Sequence, residues 1–229
     1  MAGNPRRQAP PPERQVRQLS DGALRARAEK TARIREKLMV SAARVVGHFG
    51  YRDASVQRIT ADAGLAQGTF YLYFASRQAL FDELLPYFGL DMLDEVRLRS
   101  EGTHAFFELE EIGMKSVVEY LHENPWFWRL LNEAEVEAPV AWQRHHDEVT
   151  RRYLRFLKRA RADGELTGYA ESELGTLTQL LVAARDYIYR SHLTSHNPGN
   201  KVPAALIRTY RKFIENGLAN GAPGPARKK

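Results

Sequence analysis

The sequence predicts an all-α protein in which a small helix-turn-helix domain is followed by a larger helical domain. Apolar residues recur at spacings of three and four along most of the chain from about Arg33, which is typical of amphipathic helices. No segment shows the alternation of apolar and polar residues that indicates a strand. Residues 55–84 contain a short amphipathic helix, a glycine turn, and a second helix rich in small, hydroxyl and aromatic residues. This is the order of elements expected of a helix-turn-helix that binds the major groove of duplex DNA.

The composition limits the kind of protein that this chain can be. Its 229 residues are 43% hydrophobic, enough for a core in one large domain or two small ones, and its formal charge of +6 favours an anionic partner. The absence of cysteine excludes disulfides, thiolate metal sites and a cysteine nucleophile. No apolar stretch approaches the roughly 20 residues of a membrane-spanning helix, and none follows the N-terminal arginines as in a secretory signal. We therefore expect a soluble cytoplasmic protein without a membrane partner.

Residues 1–30 are predicted to form a disordered basic arm. They include a run of prolines, contain few large apolar residues, and carry seven basic groups against three acids, so they bury too little surface to fold alone. The alternative is an arm that reaches a minor groove of DNA or adds contacts to its phosphates. At the other end, residues 219–229 are predicted to form a basic tail.

Residues 31–86 are predicted to form the helix-turn-helix domain. Its first helix starts at about Arg33 and ends before Gly50. Ser55 is a good N-cap for the second helix, because its hydroxyl oxygen can accept a free backbone N–H. Gly64 supplies the left-handed residue that stops this helix.

Two further helices complete this domain. The third is predicted at residues 66–74, and Ser76 is the predicted N-cap of the fourth. Pro86 lacks a backbone N–H and its ring clashes with the preceding turn, so we expect a kink or a break in the fourth helix there. The domain should therefore end near this proline.

Residues 61–80 resemble the tetracycline-repressor (TetR) family of bacterial transcriptional regulators. They read ADAGLAQGTFYLYFASRQAL, against a family pattern of Ala-Gly-Val-Ser-x-Gly-Thr-Leu-Tyr-x-His-Phe-x-Ser-Lys-x-x-Leu. The positions that match directly, in an unbroken register, are Gly64, Gly68, Thr69, Tyr71, Phe74, Ser76 and Leu80. The resemblance covers about residues 34–85, and it implies a regulator that binds double-stranded DNA. It also implies a variable second domain that binds a ligand and pairs with a second subunit.

The third helix and its neighbours carry the predicted DNA contacts. Gln67 is the candidate for reading a base, because its amide can pair with both polar edge groups of an adenine. Gly68 allows the backbone to approach a groove wall. Hydroxyl groups and a guanidinium can reach phosphate oxygens. The predicted set is Ser55, Gln67, Gly68, Thr69, Tyr71, Tyr73 and Arg77, whereas Phe70 and Phe74 are predicted to face the core of the small domain.

Some residues depart from the family pattern. Ala66 replaces the usual serine, so the third helix loses a side-chain cap and a phosphate donor. Gln67 stands where a lysine is frequent, and Tyr73 replaces a common histidine. These departures do not change the expected mode of binding to DNA, but the affinity and the operator sequence cannot be inferred from the family pattern.

Residues 87–218 are predicted to form the larger helical domain. Pro125 and Pro139 each mark a first helical position, and Gly164 marks a helix end. Asn197-Pro198-Gly199 is predicted to break the next helix. The resemblance implies a homodimer through the helices at about residues 172–192 and 203–218.

Aromatic side chains are the clue to a small-molecule effector. They can line a cavity for an apolar or aromatic molecule, although each can equally fill the core. The predicted effector-binding residues are Phe107, Trp126, Trp128, Trp142, Tyr153 and Tyr187. Arg185-Asp186 interrupts an apolar helix, and we interpret it as a surface or interface ion pair rather than a polar group of a pocket. His145 and His146 point about 100° apart on a helix, so we predict no metal site, and no cofactor is implied.

Three functions compete for this sequence. The leading hypothesis is a homodimeric repressor that a small hydrophobic or aromatic effector releases from a palindromic operator. The alternative is an effector-independent basic DNA-binding protein of architectural type, which a solid core in the second domain would favour. A helical enzyme is the third, but the chain contains no nucleophile motif and no convergent set of acids.

Overall fold

The computed structural model describes residues 13–194 and 203–219, and within these ranges it contains helices and turns without a strand. The helices are α1 (Glu13–Phe49), α2 (Val56–Asp62), α3 (Gln67–Phe70), α4 (Arg77–Arg99), α5 (Phe106–Glu123), α6 (Pro125–Glu137), α7 (Pro139–Ala162), α8 (Leu174–Thr194) and α9 (Ala204–Ile214). A 3-10 turn precedes α8 and a π-helical turn follows α9. The all-α prediction is confirmed.

Local chemistry sets the helix boundaries of the N-terminal domain. Ser55 and Ser76 cap α2 and α4 as predicted, since their hydroxyl oxygens accept the backbone N–H three residues onward at 3.3 and 3.0 Å. Gly50 (φ 83°) and Gly64 (φ 61°) adopt the left-handed backbone that L side chains disfavour, and each lies just beyond a helix end.

The first helix is longer than predicted. α1 begins at Glu13 rather than near Arg33, so the prediction of a disordered arm is wrong for residues 13–30. Residues 22–33 are exposed, yet most are good helix formers, and extending a helix that is already packed requires no new nucleation. Residues 1–12 and 220–229 lie outside the described residues.

The third helix is shorter than predicted. α3 ends at Phe70, and the backbone N–H groups of Leu72 and Tyr73 then donate to carbonyls three residues back at 3.2 and 3.0 Å. Such bonds are typical of a tight turn. Residues 71–73 therefore form a turn rather than a continuation of the helix.

Of the kink or break predicted at Pro86, the break is wrong, because α4 continues through this residue to Arg99. The proline removes one backbone donor, but buried side chains on both sides, Leu84, Leu85 and Phe88, hold the helix in place. One continuous helix consequently belongs to both domains, and no linker separates them at residue 86.

Two clusters of buried side chains hold the helices together. The first joins α1–α4 to α6 and includes Leu38, Leu84 and Phe127. The second lies among α5, α7, α8 and α9 and includes Leu157 and Ile214. The first cluster crosses the predicted domain boundary, so the small domain is fixed against the larger one.

The helix starts of the larger domain follow the sequence closely. Pro125 and Pro139 occupy first helical positions of α6 and α7, and Gly164 ends the turn after α7 with φ 84°. The predicted break at residues 197–199 lies outside the described residues. None of the helices in the described ranges combines the length and the apolar character that crossing a membrane requires.

Candidate functional site

The segment from α3 to α4 carries most of the residues predicted to contact DNA. Gln67 and Gly68 are exposed, and Tyr71 has 56% of its surface exposed. Phe70 and Phe74 are buried, as predicted. α3 therefore presents polar groups to solvent while its phenyl rings hold it to the domain core.

Gly68 leaves a bare stretch of backbone on this surface. A Cβ atom built there meets no heavy atom of the described residues within 4 Å. The packing of the protein itself therefore places no demand for glycine at this position. The backbone at Gly68 is therefore open to solvent.

Other predicted contact residues are partly engaged within the protein. The Ser55 oxygen serves as the cap of α2, and Tyr73 packs against the first core cluster. Arg77 donates to the backbone carbonyl of Arg52 at 3.1 Å. These contacts orient the side chains at the edge of the exposed surface and leave part of each accessible.

Leu72 belongs to this surface, although sequence reasoning assigned it no role. It is 80% exposed and adjoins Tyr71, whereas Thr69 is half-buried. An exposed apolar side chain here can contact the methyl group of a thymine. The one signal in the sequence is the position of Leu72 between Phe70 and Phe74. Both phenylalanines are predicted to face the core, so the residue midway between them faces outward.

Polar contacts from α6 fix the helix-turn-helix domain to the larger domain. The backbone N–H of Tyr51 donates to the Glu133 carboxylate at 2.9 Å, and Arg129 donates to the backbone carbonyl of His48 at 2.9 Å. The two groups that Glu133 and Arg129 contact, the Tyr51 N–H and the His48 carbonyl, lie at the C-terminal end of α1. These hydrogen bonds therefore tie α6 to the end of α1 in the helix-turn-helix domain.

We expect Ser76→Ala to destabilise the protein by about 1 kcal/mol, because the first turn of α4 loses the hydroxyl that accepts its free N–H. Urea unfolding followed by circular dichroism measures this loss. Ser172→Ala is the control, since Ser172 is exposed in the 3-10 turn before α8. Equal stability of the two variants would contradict the capping role.

The larger domain contains a cavity of about 1010 Å³ between α4, α5, α7 and α8. Most of its wall is apolar, with contributions from Met92, Leu93, Val96, Leu109, Val117, Leu121, Val149, Phe156 and Val182. Its charged lining residues are Arg97, Arg152, Arg155, Arg185, Arg190, Asp94, Glu110 and Asp186. A cavity of this size and character accommodates a small organic molecule.

Two of the six aromatic residues predicted to bind an effector, Trp142 and Tyr153, line this cavity. The other four do not: Phe107 packs against the second core cluster, Trp126 and Trp128 pack against the first, and Tyr187 is 73% exposed. Tyr189, which the prediction omitted, lines the cavity instead of Tyr187. Two residues at this spacing on one helix point about 200° apart, so composition alone cannot choose between these tyrosines.

Glu110 is the polar centre of the cavity wall. Its carboxylate is fully buried and accepts hydrogen bonds from the Tyr153 hydroxyl and, at 2.8 Å, from the Tyr210 hydroxyl. The Arg185 guanidinium lies 3.9 Å from the same carboxylate and donates to the Glu110 backbone carbonyl at 3.1 Å. Burial raises the pKa of both tyrosines, against the opposing charge of Arg185, so both hydroxyls stay protonated as donors.

The interpretation of Arg185-Asp186 as a surface or interface pair is wrong for Arg185, which points into the domain. Its counterion is Glu110 on α5, which no periodicity within α8 reveals. Gly113 makes room for it, since a Cβ atom there would lie 2.8 Å from the Arg185 Nη2 atom. Asp186 forms an exposed ion pair with Arg190 at 2.9 Å.

His145 also lines the cavity, with 7% of its surface exposed. Burial, together with the charge of His146, lowers the pKa of His145 to about 4. His146 is exposed and stacks on the Trp142 ring at 5.1 Å. In the part of the chain that the structure describes, no three histidine, aspartate or glutamate side chains are grouped to hold a metal ion.

Comparison with known proteins identifies the helix-turn-helix segment. Residues 38–84 match the family model of bacterial regulatory proteins of the TetR family. These residues are therefore a helix-turn-helix segment of the TetR type. Members of this family are DNA-binding regulators of transcription, not enzymes, and the matched residues include α2, α3 and the start of α4.

Two relatives from Bacillus subtilis (strain 168) are also regulators of the helix-turn-helix type. The chain is 36% identical to YvdT over 77 residues, which cover 34% of this chain and 40% of YvdT. It is 28% identical to YdgC over 193 residues, which cover 80% of this chain and 92% of YdgC. The first similarity thus spans two fifths of the relative, and the second extends through the larger domain.

The whole fold has counterparts among solved structures. The fatty acid degradation regulator FadR from Bacillus halodurans superposes with a TM-score of 0.66 at 17% identity, over 81% of this chain and 96% of FadR. A TetR-like transcriptional regulator from Rhodococcus sp. RHA1 gives a TM-score of 0.60 at 16% identity, over 82% and 96% of the two chains. The helical fold of this chain is therefore shared with these two solved structures.

Proposed function

We propose that the protein is a homodimeric repressor that a small apolar or aromatic effector releases from a palindromic operator. The observation that carries this proposal is the continuity of α4. Its first turn follows the DNA-binding segment, and its second half supplies Met92, Leu93, Val96 and Arg97 to the cavity wall. A ligand in the cavity therefore contacts the helix that positions the DNA-binding surface.

DNA binding is assigned to the exposed face of α3 and the turn that follows. Gln67 reads a base edge, the bare backbone at Gly68 approaches the groove, and Tyr71 reaches a phosphate oxygen. Ser55, Thr69, Tyr73 and Arg77 add contacts to the backbone of the DNA from positions at the edge of this face. Exposed basic residues on the first part of α1, Arg25, Arg27 and Lys30, favour added phosphate contacts.

Dimerisation is assigned to α8 and α9, where large apolar side chains are exposed. Leu180 and Tyr187 are 63% and 73% exposed and stand seven residues apart on one face of α8, while Phe213 on α9 is 66% exposed. Burial against a second subunit would remove this apolar surface from water. A two-fold dimer would bind half-sites about one turn of DNA apart.

Release requires that the effector prefer the conformation that does not fit DNA. To move the population from roughly 99:1 to 1:99, the ligand must bind the released conformation about 5.5 kcal/mol more tightly. Movement of α4 or α6 at the cavity would change the spacing of the two DNA-binding surfaces. The cavity argues against an effector-independent architectural protein, for which a solid second domain was the expectation.

We expect saturable binding to DNA from immediately upstream of the protein's own gene, with weaker binding to a scrambled duplex. Gln67→Ala should reduce the preference for the specific sequence, because each bidentate base contact contributes about 1 to 3 kcal/mol of discrimination. Tyr71→Phe should weaken binding to both duplexes, since a phosphate contact carries no sequence information. Fluorescence anisotropy at two salt concentrations measures both effects.

Gln143→Ala is the control for these variants, because Gln143 is exposed on α7 and bonds to Asp147. It should bind DNA as the unmodified protein does. Binding that is equally strong to any duplex, steeply salt-dependent and unchanged in both variants would contradict the proposal. The basic N-terminal region would then dominate, as in the architectural alternative.

A further inference from the structure

We propose that the cavity binds an amphipathic anion, a molecule with an apolar body and one carboxylate, and that Arg185 binds the carboxylate. This inference rests on the proposed function, because it takes the cavity as the effector site and names the chemical class of the effector. It follows from the hydrogen bonding of Arg185, the arrangement of Glu110, and the apolar character of most of the lining.

Arg185 has more hydrogen-bond donors than the protein satisfies. Its guanidinium donates to the Glu110 backbone carbonyl at 3.1 Å and interacts with the Tyr189 hydroxyl, which leaves further N–H groups over. The Nε atom is buried and has no hydrogen-bond partner in the described part of the chain. Buried N–H groups without an acceptor are costly, so a guanidinium in this state favours an acceptor from outside the protein.

Glu110 does not supply the missing hydrogen bonds, because its oxygens are already used. The Tyr153 hydroxyl donates to one carboxylate oxygen and the Tyr210 hydroxyl to the other. The carboxylate therefore attracts Arg185 by charge at 3.9 Å, a distance too long for a hydrogen bond. The charge of Arg185 is held in place while N–H groups remain available to a ligand.

The remainder of the lining suits the apolar body of such a ligand. The other lining arginines Arg97, Arg152 and Arg190 are paired with Glu101, Glu148 and Asp186. Leu109, Val117 and Val182 provide apolar surface against which a hydrocarbon body can be buried. A carboxylate matches the planar fork of a guanidinium, from which it can accept two parallel hydrogen bonds.

The test compares dodecanoate with dodecanol and methyl dodecanoate on the full-length protein. Trp142 lines the cavity, so its fluorescence reports binding directly, and Trp142→Phe identifies that signal. We expect dodecanoate to bind roughly ten to a hundred times more tightly than dodecanol, the range for a charge-assisted hydrogen bond in a buried site. The ester should resemble the alcohol.

The variant that tests the residue is the double substitution Arg185→Gln with Glu110→Gln. It removes both buried charges together, so no unpaired charge remains in the core, and the amide oxygen that replaces the carboxylate can still accept a hydrogen bond from a tyrosine. We expect it to bind dodecanoate and dodecanol with equal affinity. Arg185→Lys keeps the charge but not the planar fork, so it should show an intermediate preference for dodecanoate over dodecanol. This variant tests the role of Arg185 if the double variant does not fold.

Arg155→Gln is the matched control, because Arg155 is an exposed arginine of the same cavity wall. It should keep the full preference for dodecanoate. Loss of preference in this control alone would place the carboxylate at the rim and overturn the assignment to Arg185. Equal binding of all three ligands by the unmodified protein would overturn the inference itself.

A parallel DNA-release measurement separates this inference from the proposed function. If dodecanoate binds through Arg185 without releasing DNA, the inference stands and the effector mechanism fails. If only uncharged apolar ligands bind, and they release DNA, the effector mechanism stands and the inference fails.

Discussion

Gly47→Ala is expected to destabilise the protein by about 3 kcal/mol, the upper end for forcing an extra methyl group into a packed interface. A Cβ atom at this position would lie 2.3 Å from the Trp126 Cβ atom and 2.8 Å from its Cα atom. Those neighbours are backbone and the base of a side chain, which cannot rotate away. The only relief is a shift of α6 away from α1.

Gly22→Ala provides the matched control, because it is the same change in the same helix. No heavy atom of the described residues lies within 4 Å of a Cβ atom built there. Alanine is a better helix former than glycine, so this variant should be unchanged or more stable by up to about 1 kcal/mol. Urea unfolding measures the stability of both variants. We expect a loss of stability for Gly47→Ala and no loss for Gly22→Ala.

The effect of Gly47→Ala should extend to DNA binding. α6 holds the end of α1 through Glu133 and Arg129, so a shift of α6 would also disturb the contacts at Tyr51 and His48. We expect weaker binding to the operator at a temperature where the variant is still folded. If stability and DNA affinity both match those of Gly22→Ala, the close approach of the two helices has no structural role.

Features that depend on neighbours in sequence were predictable. Ser55 and Ser76 were identified as caps because a cap needs only a hydroxyl beside free N–H groups, and Gly64 as a left-handed residue because few other residues adopt that backbone. Gly50 was identified as the end of the first helix. The burial of Phe70 and the exposure of Gln67 follow from the same local helix. The DNA-binding segment could therefore be located without a structure.

Features that depend on distant partners were not predictable. Glu110 lies among other acids in FELEEI and looks like a surface residue, yet it is buried because tyrosines 43 and 100 positions away donate to it. Arg185 likewise points into the domain because its partner, Glu110, lies on another helix. Which aromatic residues line the cavity likewise depends on helix orientation, so Trp142 and Tyr153 line it whereas Trp126 and Tyr187 do not.

The second large effect is expected from pH, through His145. Its pKa in the folded protein is about 4, below the ordinary value of 6.5, mainly because burial disfavours the imidazolium and partly because His146 is adjacent. The unfolded chain therefore binds a proton at a pH where the folded protein does not. Stability from the neutral His145 is complete above about pH 6.5 and is lost as the pH falls towards 4.

The expected loss is about 3 kcal/mol over this interval, since each unit of pKa difference corresponds to about 1.4 kcal/mol. Below about pH 4 both states are protonated, so His145 contributes no further loss. Urea unfolding at several pH values measures how the free energy of unfolding changes with pH. Carboxylates also titrate in this range, so the contribution of His145 is the difference between the unmodified protein and His145→Gln.

His146→Gln is the control, because His146 is exposed on the same helix while His145 contacts α4. A Cβ atom at Gly89 would lie 2.2 Å from the His145 Nδ1 atom, so the ring packs directly against α4, whose first turn follows the segment proposed to bind DNA. Protonation of His145 would place a charge at that contact. We therefore expect the His145→Gln variant, and not the control, to lose the steep dependence between about pH 4 and 6.5. An imidazole proton resonance of His145 that titrates near pH 6.5 in the folded protein would show that the ring is hydrated, and the contact with α4 would then have to be looser than the one described.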